Sequence, residues 1–112
     1  MILKAVWISY DLGIKGDYEG LYYWLDLHKA RECVGNLAFL KFKTEDSDLD
    51  LIANLEKSIQ EAVEINKRSR IYIIFYGKQK RMRGRYLFGN RMASPWLGYA
   101  PSESTDESES DG

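Results

Sequence analysis

The chain predicts an α+β sandwich, two helices laid on one face of a mainly antiparallel sheet. Three observations carry that prediction. Leu3 to Leu12 is a nearly unbroken apolar run containing Val6, Trp7, Ile8 and Tyr10, as expected of a central strand covered on both faces. Two later segments repeat apolar residues at three- and four-residue spacing, and Arg70 to Tyr76 is dense in β-branched and aromatic side chains. The order strand-helix-strand-helix-strand-strand within 112 residues offers too few crossover units for a wound parallel sheet. What remains is the ferredoxin-like arrangement, with the first and third strands as central neighbours.

Each element has its own signal. After the first strand, Gly13 and Gly16 turn the chain and Asp17 stands where a helix N-cap belongs. Leu21, Tyr22, Leu25 and His28 then form the stripe of a first helix ending near Cys33. Gly35-Asn36 is a turn, and Leu37 to Phe42 is the second strand, where Lys41 and Lys43 put one face in solvent. Ser47 with Asp50 three residues on imitates a capping box using the shorter acid. The second helix is expected to reach about Lys67 on a stripe of Leu49, Ile52, Leu55, Ile59, Ala62 and Val63. Arg70 to Tyr76 is the third strand, Gly77 to Gly84 a basic hairpin or loop, and Arg85 to Gly89 a short fourth strand.

Residues 1–100 read as one domain and 101–112 as a disordered acidic tail. The tail holds Glu103, Asp106, Glu107, Glu109 and Asp111 with no base and no large apolar residue, which leaves the rest of the chain mildly basic. Before it, Met92 to Tyr99 is too apolar for a linker, and Pro95 and Gly98 exclude a helix. An extended arm is expected there, packed on its own sheet or across a partner subunit. No apolar run is long enough to span a bilayer, so no membrane role is expected. The N-terminus runs straight into a strand without a signal-peptide pattern, which points to the cytoplasm. Cys33 is the single cysteine, so no internal disulfide forms, and a small, partly buried side chain is expected.

Trp7-Ile8-Ser9-Tyr10-Asp11-Leu12, a short loop, Asp17-Tyr18-Glu19-Gly20-Leu21-Tyr22 and then the strand containing Ala38-Phe39-Leu40 together resemble one superfamily. It is the ferredoxin-like superfamily of the small CRISPR-associated integration-complex subunit, with SinR-like proteins and virulence-associated protein D toxins. The likeness in element order covers about Lys4 to Phe75, and the wording of the first strand is nearest to the SinR-like members. The resemblance implies a homodimer, and it implies that the aspartate ending the first strand, here Asp11, belongs to a divalent-metal site that cleaves phosphodiesters.

Asp11 is therefore the candidate catalytic and metal-binding residue, with Mg²⁺ as the cofactor if the protein is catalytic and a second Asp11 supplied by a symmetric dimer. The bland alternative is a carboxylate accepting backbone N–H bonds in the turn at Gly13. Asp17 and Glu19 are better explained by helix capping, and His28 by surface exposure or the C-terminal end of its helix. Lys78, Lys80, Arg81, Arg83, Arg85 and Arg91 form a concentrated basic run with Tyr76, Tyr86 and Trp96 close in sequence. Guanidinium groups suit phosphate recognition and rings suit stacking, so this run is the candidate nucleic-acid-binding surface. The sequence thus points to a small cytoplasmic homodimer that contacts nucleic acid or a nucleotide through the run. Its alternatives are a metal-dependent ribonuclease of toxin type using Asp11 and a non-enzymatic interaction module.

Overall fold

The computed structural model describes residues 1–101, so the expected acidic tail from Ser102 onward lies outside the described residues. Seven elements follow in order: β1 (Ile2–Asp11), α1 (Tyr18–Leu27), β2 (Arg31–Val34), β3 (Leu37–Thr44), α2 (Asp48–Ala62), β4 (Arg70–Tyr76) and β5 (Met82–Phe88). The strands form one sheet in the order β2-β3-β1-β4-β5, every neighbouring pair antiparallel. Its first four strands have the ferredoxin-like order β4-β1-β3-β2, and β5 adds a hairpin strand on the outer edge of β4. As the apolar sequence predicted, β1 and β4 are neighbours, with Val6 opposite Phe75 and Ile8 opposite Ile73. Val6, Ile8, Ile71 and Ile73 are fully buried.

Strand alternation sends Val6, Ile8 and Tyr10 of β1 to the same face as Leu40 and Phe42 of β3 and Ile71, Ile73 and Phe75 of β4. Leu21, Trp24 and Leu25 of α1 and Leu51, Leu55 and Ile59 of α2 close over that face in one core. Burying such a side chain fully is worth about 2 kcal/mol, so tertiary packing holds the ten-residue α1, which could not persist alone. Two polar links set the helices against each other. The indole Nε1 of Trp24 donates to Ser58 Oγ at 2.8 Å. Asp17 caps α1 by accepting the Gly20 N–H at 2.9 Å, and its other oxygen accepts the Glu64 N–H beyond α2 at 2.9 Å. The donors from Glu64 and Gly20 hold the Asp17 carboxyl below the usual carboxylate range. Gly20 is required there, because a Cβ would strike the Ala62 carbonyl and the Asp17 carboxylate.

Three boundaries and one additional strand differ from the sequence expectation. Helix α1 stops at Leu27, where His28 stacks on Trp24 with ring centroids 4.3 Å apart and its Nδ1 lies 2.9 Å from the Trp24 carbonyl. Lys29 then takes a left-handed φ of 56° and turns the chain back, so Arg31–Val34 pairs with β3 as an edge strand instead of finishing the helix. Helix α2 ends at Ala62, not near Lys67, because Val63 is extended and the following N–H belongs to Asp17. Its core stripe is Leu51, Leu55 and Ile59; Leu49, placed on the stripe by spacing alone, is 77% exposed. Strand β5 begins at Met82, before the expected Arg85, since Arg83 and Gly84 already pair with Phe75 and Ile74.

The arm, Met92 to Tyr99, does not pack on its own sheet. Trp96 is 70% and Tyr99 87% exposed, and the segment is shaped by two turns, from Leu97 N–H to Ser94 and from Tyr99 N–H to Trp96. Cys33, expected to be partly buried, is exposed on β2. Among the described residues no helix is long and apolar enough to cross a membrane.

Candidate nucleic-acid interface

Both helices lie on one side, so among the described residues the opposite face of the sheet carries no layer. This overturns the expectation that β1 is covered on both faces: its apolar run is continuous because the open-face positions Leu3, Ala5 and Trp7 are apolar too. The register places Trp7 opposite Phe39, with ring centroids 4.9 Å apart, and Tyr72 opposite Tyr86, with centroids 4.7 Å apart at 75°. Ile74 lies beside Trp7 and between the two pairs. Gly84 keeps this arrangement open, because a Cβ there would strike the hydroxyl and ring of Tyr72.

Charge divides between the two sides. Arg31, Lys41, Lys43 and Arg70 share the open-face strand positions with a single carboxylate, Asp11. The two helices on the other side hold six carboxylates and one cation, Lys57. The molecule is therefore an aromatic, basic sheet surface backed by an acidic helical layer.

At one end of the open face, Asp11 closes β1. Its Oδ1 accepts the Gly13 N–H at 3.1 Å, and its Oδ2 lies 3.8 Å from Arg70 Nη2. Gly13 has a φ of 78°, which that turn asks of glycine. Among the described residues no three His, Cys, Asp or Glu side chains converge as metal ligands. Within one chain, a lone carboxylate bonded to a backbone N–H and faced by a guanidinium does not fit a divalent cation. Arg70 Nη1 also lies 3.4 Å from the Asn90 carbonyl and 3.5 Å from the Tyr86 hydroxyl. Around this centre runs a groove of about 410 Å³ whose walls include Lys67, Arg68 and Arg91.

The expected basic run does not form one patch. Lys78 Nζ is 2.8 Å from Asp46 Oδ2, and the Lys78 N–H donates to the Asp48 carboxylate at 3.3 Å. Lys4 Nζ is 3.6 Å and Arg83 Nη1 3.9 Å from Asp48. The hydrogen bond between Asp46 and Lys78 lowers the carboxyl's pKa and raises the ammonium's. Lys80 and Arg81 are exposed in the β4–β5 loop, where Lys80 adopts a φ of 61°. Arg85 lies opposite Ile73, on the helix side of the edge strand. Arg91 is at the far end of the sheet, in the Asp11 groove.

Sequence reasoning passed over the open-face pairs and the cations Lys67, Arg68 and Arg70. The alternation of Trp7, Ser9 and Asp11 against Val6, Ile8 and Tyr10 was a usable signal for the first. Reading Lys67 as helical concealed the second. No family model, curated protein or solved structure matches the chain.

Proposed function

We propose that the protein binds single-stranded nucleic acid on the open face of its sheet. The observation that carries this is the pairing of two aromatic contacts, Trp7 with Phe39 and Tyr72 with Tyr86, with four strand cations and one carboxylate on the same uncovered surface. Unpaired bases stack on such rings at about 1–3 kcal/mol each, while Lys and Arg hold the phosphates. A duplex keeps its base faces buried and gains only the charge term. Lys80 and Arg81, exposed in the β4–β5 loop at the edge of the sheet, stand outside the Asp46–Asp48 ion pairs.

In this proposal Asp11 is a turn-capping and Arg70-orienting residue, and the protein is a binder. A cytoplasmic location belongs to the proposal, as does kinship with the CRISPR-associated superfamily, which rests on the wording of β1 and the start of α1. The second reading is a homodimeric interaction module. Exposed Trp96, Leu97 and Tyr99 of the arm and exposed Leu3, Ile74 and Met82 of the open face favour it.

The test is fluorescence anisotropy with labelled single- and double-stranded RNA and DNA at two salt concentrations, alongside sedimentation equilibrium. Preference for single strands, with affinity lowered by about tenfold in Tyr86→Ala, supports the proposal. A protein that dimerises through this face and binds no oligonucleotide leaves the interaction module in its place.

A further inference from the structure

We propose that the groove beside Asp11 is a phosphate-binding site, formed by Lys67, Arg68, Arg70 and Arg91 at the end of the aromatic face. Two chain segments far apart in sequence build it. On one side, Asn66 to Ser69 is a tight turn: the Asn66 N–H donates to Ser69 Oγ at 2.9 Å and the Arg68 N–H to Asn66 Oδ1 at 2.8 Å. With the backbone fixed by those bonds, Lys67 and Arg68 are exposed at the groove. On the other side, Gly89 has a φ of 84° and lies against Ser69 and Arg70 so closely that a Cβ would meet the Arg70 Cα at 3.1 Å. That contact brings Asn90 and Arg91 beside the turn, and the Asn90 carbonyl is held by Arg70 at 3.4 Å.

The charge balance identifies the ligand. Among the described residues four cations line the groove with one carboxylate, and that carboxylate, 3.8 Å from Arg70, compensates the cation nearest it. Among the described residues Lys67, Arg68 and Arg91 have no carboxylate within 4.0 Å. Holding like charges at one concave site raises the local positive potential, which a multiply charged anion relieves. Guanidinium forks match phosphate oxygens in bidentate geometry. Next to the groove, Arg70, Tyr72 and Tyr86 line a smaller hollow of about 130 Å³. A phosphate in the groove therefore places its neighbouring base at the edge of the Tyr72–Tyr86 pair. The site depends on the single-stranded nucleic-acid proposal only for the source of the phosphate, a polynucleotide backbone or a free phosphoryl compound.

The experiment compares wild type, Arg68→Ser with Arg91→Ser, and the conservative Arg68→Lys with Arg91→Lys. Two probes are used: inorganic pyrophosphate, read by thermal shift, and a labelled twenty-residue oligouridylate, read by anisotropy across a salt series. Pyrophosphate should raise the melting temperature of wild type and of the Lys variant and leave the Ser variant unmoved. Oligouridylate should bind the Ser variant about tenfold more weakly, with the log–log salt slope flatter by about 1.4 for the two lost phosphate contacts. A pyrophosphate effect alone supports the site with a free phosphoryl ligand, and an oligonucleotide effect alone supports it with a polymer backbone. A wild type unmoved by pyrophosphate, together with unchanged oligonucleotide binding in the Ser variant, overturns the site. Complete absence of oligonucleotide binding by wild type would instead remove the nucleic-acid proposal and leave the pyrophosphate result to decide the groove.

Discussion

The two ends of the sheet use charge in opposite ways. At the Lys4 end, three cations meet two carboxylates: Lys4, Lys78 and Arg83 converge on Asp46 and Asp48 with contacts of 2.8 to 3.9 Å. At the Asp11 end, seven residues along β1 and roughly 23 Å away, four cations share one carboxylate. The first cluster fixes the β4–β5 loop to the start of α2, where Asp48 also sits favourably in the first turn of the helix. Its charges are consumed by architecture. The second leaves positive charge unspent beside an aromatic surface, as a site for an external anion does. Counting basic residues along the sequence joined these two ends into one run; pairing each with its neighbours separates them.

Substituting Asp48 should have the largest effect on stability. Lys4, whose side chain is 11% exposed, loses its closest counter-charge in Asp48→Ala, at a cost of about 3 kcal/mol in chemical denaturation. Oligonucleotide affinity should stay within twofold. A variant that keeps its stability but loses affinity would break the division between the ends. On the open face, Trp7→Ala should weaken single-strand binding by about 2 kcal/mol in anisotropy titrations. An equal loss for duplex would show that stacking is not the source. Asp11→Asn should cost about 1 kcal/mol of stability through weaker bonding to the Gly13 N–H, while tightening oligonucleotide binding several-fold by removing the one carboxylate that lines the groove among the described residues. Weakened binding in that variant would instead place Asp11 among the groups that hold the ligand.

The smallest effect belongs to acid titration. Asp17 and Asp46 have folded-state pKa values below their ordinary range, Asp17 through backbone donors at Glu64 and Gly20 and Asp46 through Lys78. Depressed carboxyls contribute stability that is present above the unfolded pKa and lost as pH falls through the folded values. Melting temperature should therefore decline below about pH 4, with a shallower decline in Asp17→Asn. An unchanged acid limb in that variant would show that the cap contributes nothing.

Much of the fold was legible because one face of the sheet is buried. Val6, Ile8, Ile71 and Ile73 announced the central pair, and Asp17 and Ser47 announced the helix starts. Helix ends were not legible, since α1 stops where Lys29, a residue that carries no glycine or proline signal, takes a left-handed φ, and α2 stops where Asp17, distant in sequence, captures the Glu64 N–H. β2 was missed because all four of its residues are exposed, so Arg31, Glu32, Cys33 and Val34 show no alternation of burial. The site was hidden for a related reason. Lys67, Arg68 and Arg91 become neighbours only through the close approach of Gly89 to Ser69 and Arg70.

The most direct measurement is an amide chemical-shift map of the ¹⁵N-labelled protein titrated with a single-stranded oligonucleotide. Perturbations should centre on Trp7, Phe39, Tyr72, Ile74 and Tyr86, continue into Arg68, Arg70 and Arg91, and leave Asp46 to Asp50 unmoved. Perturbations confined to the helical layer or to the Asp46–Lys78 end, or none at all, would contradict the open face as the binding surface.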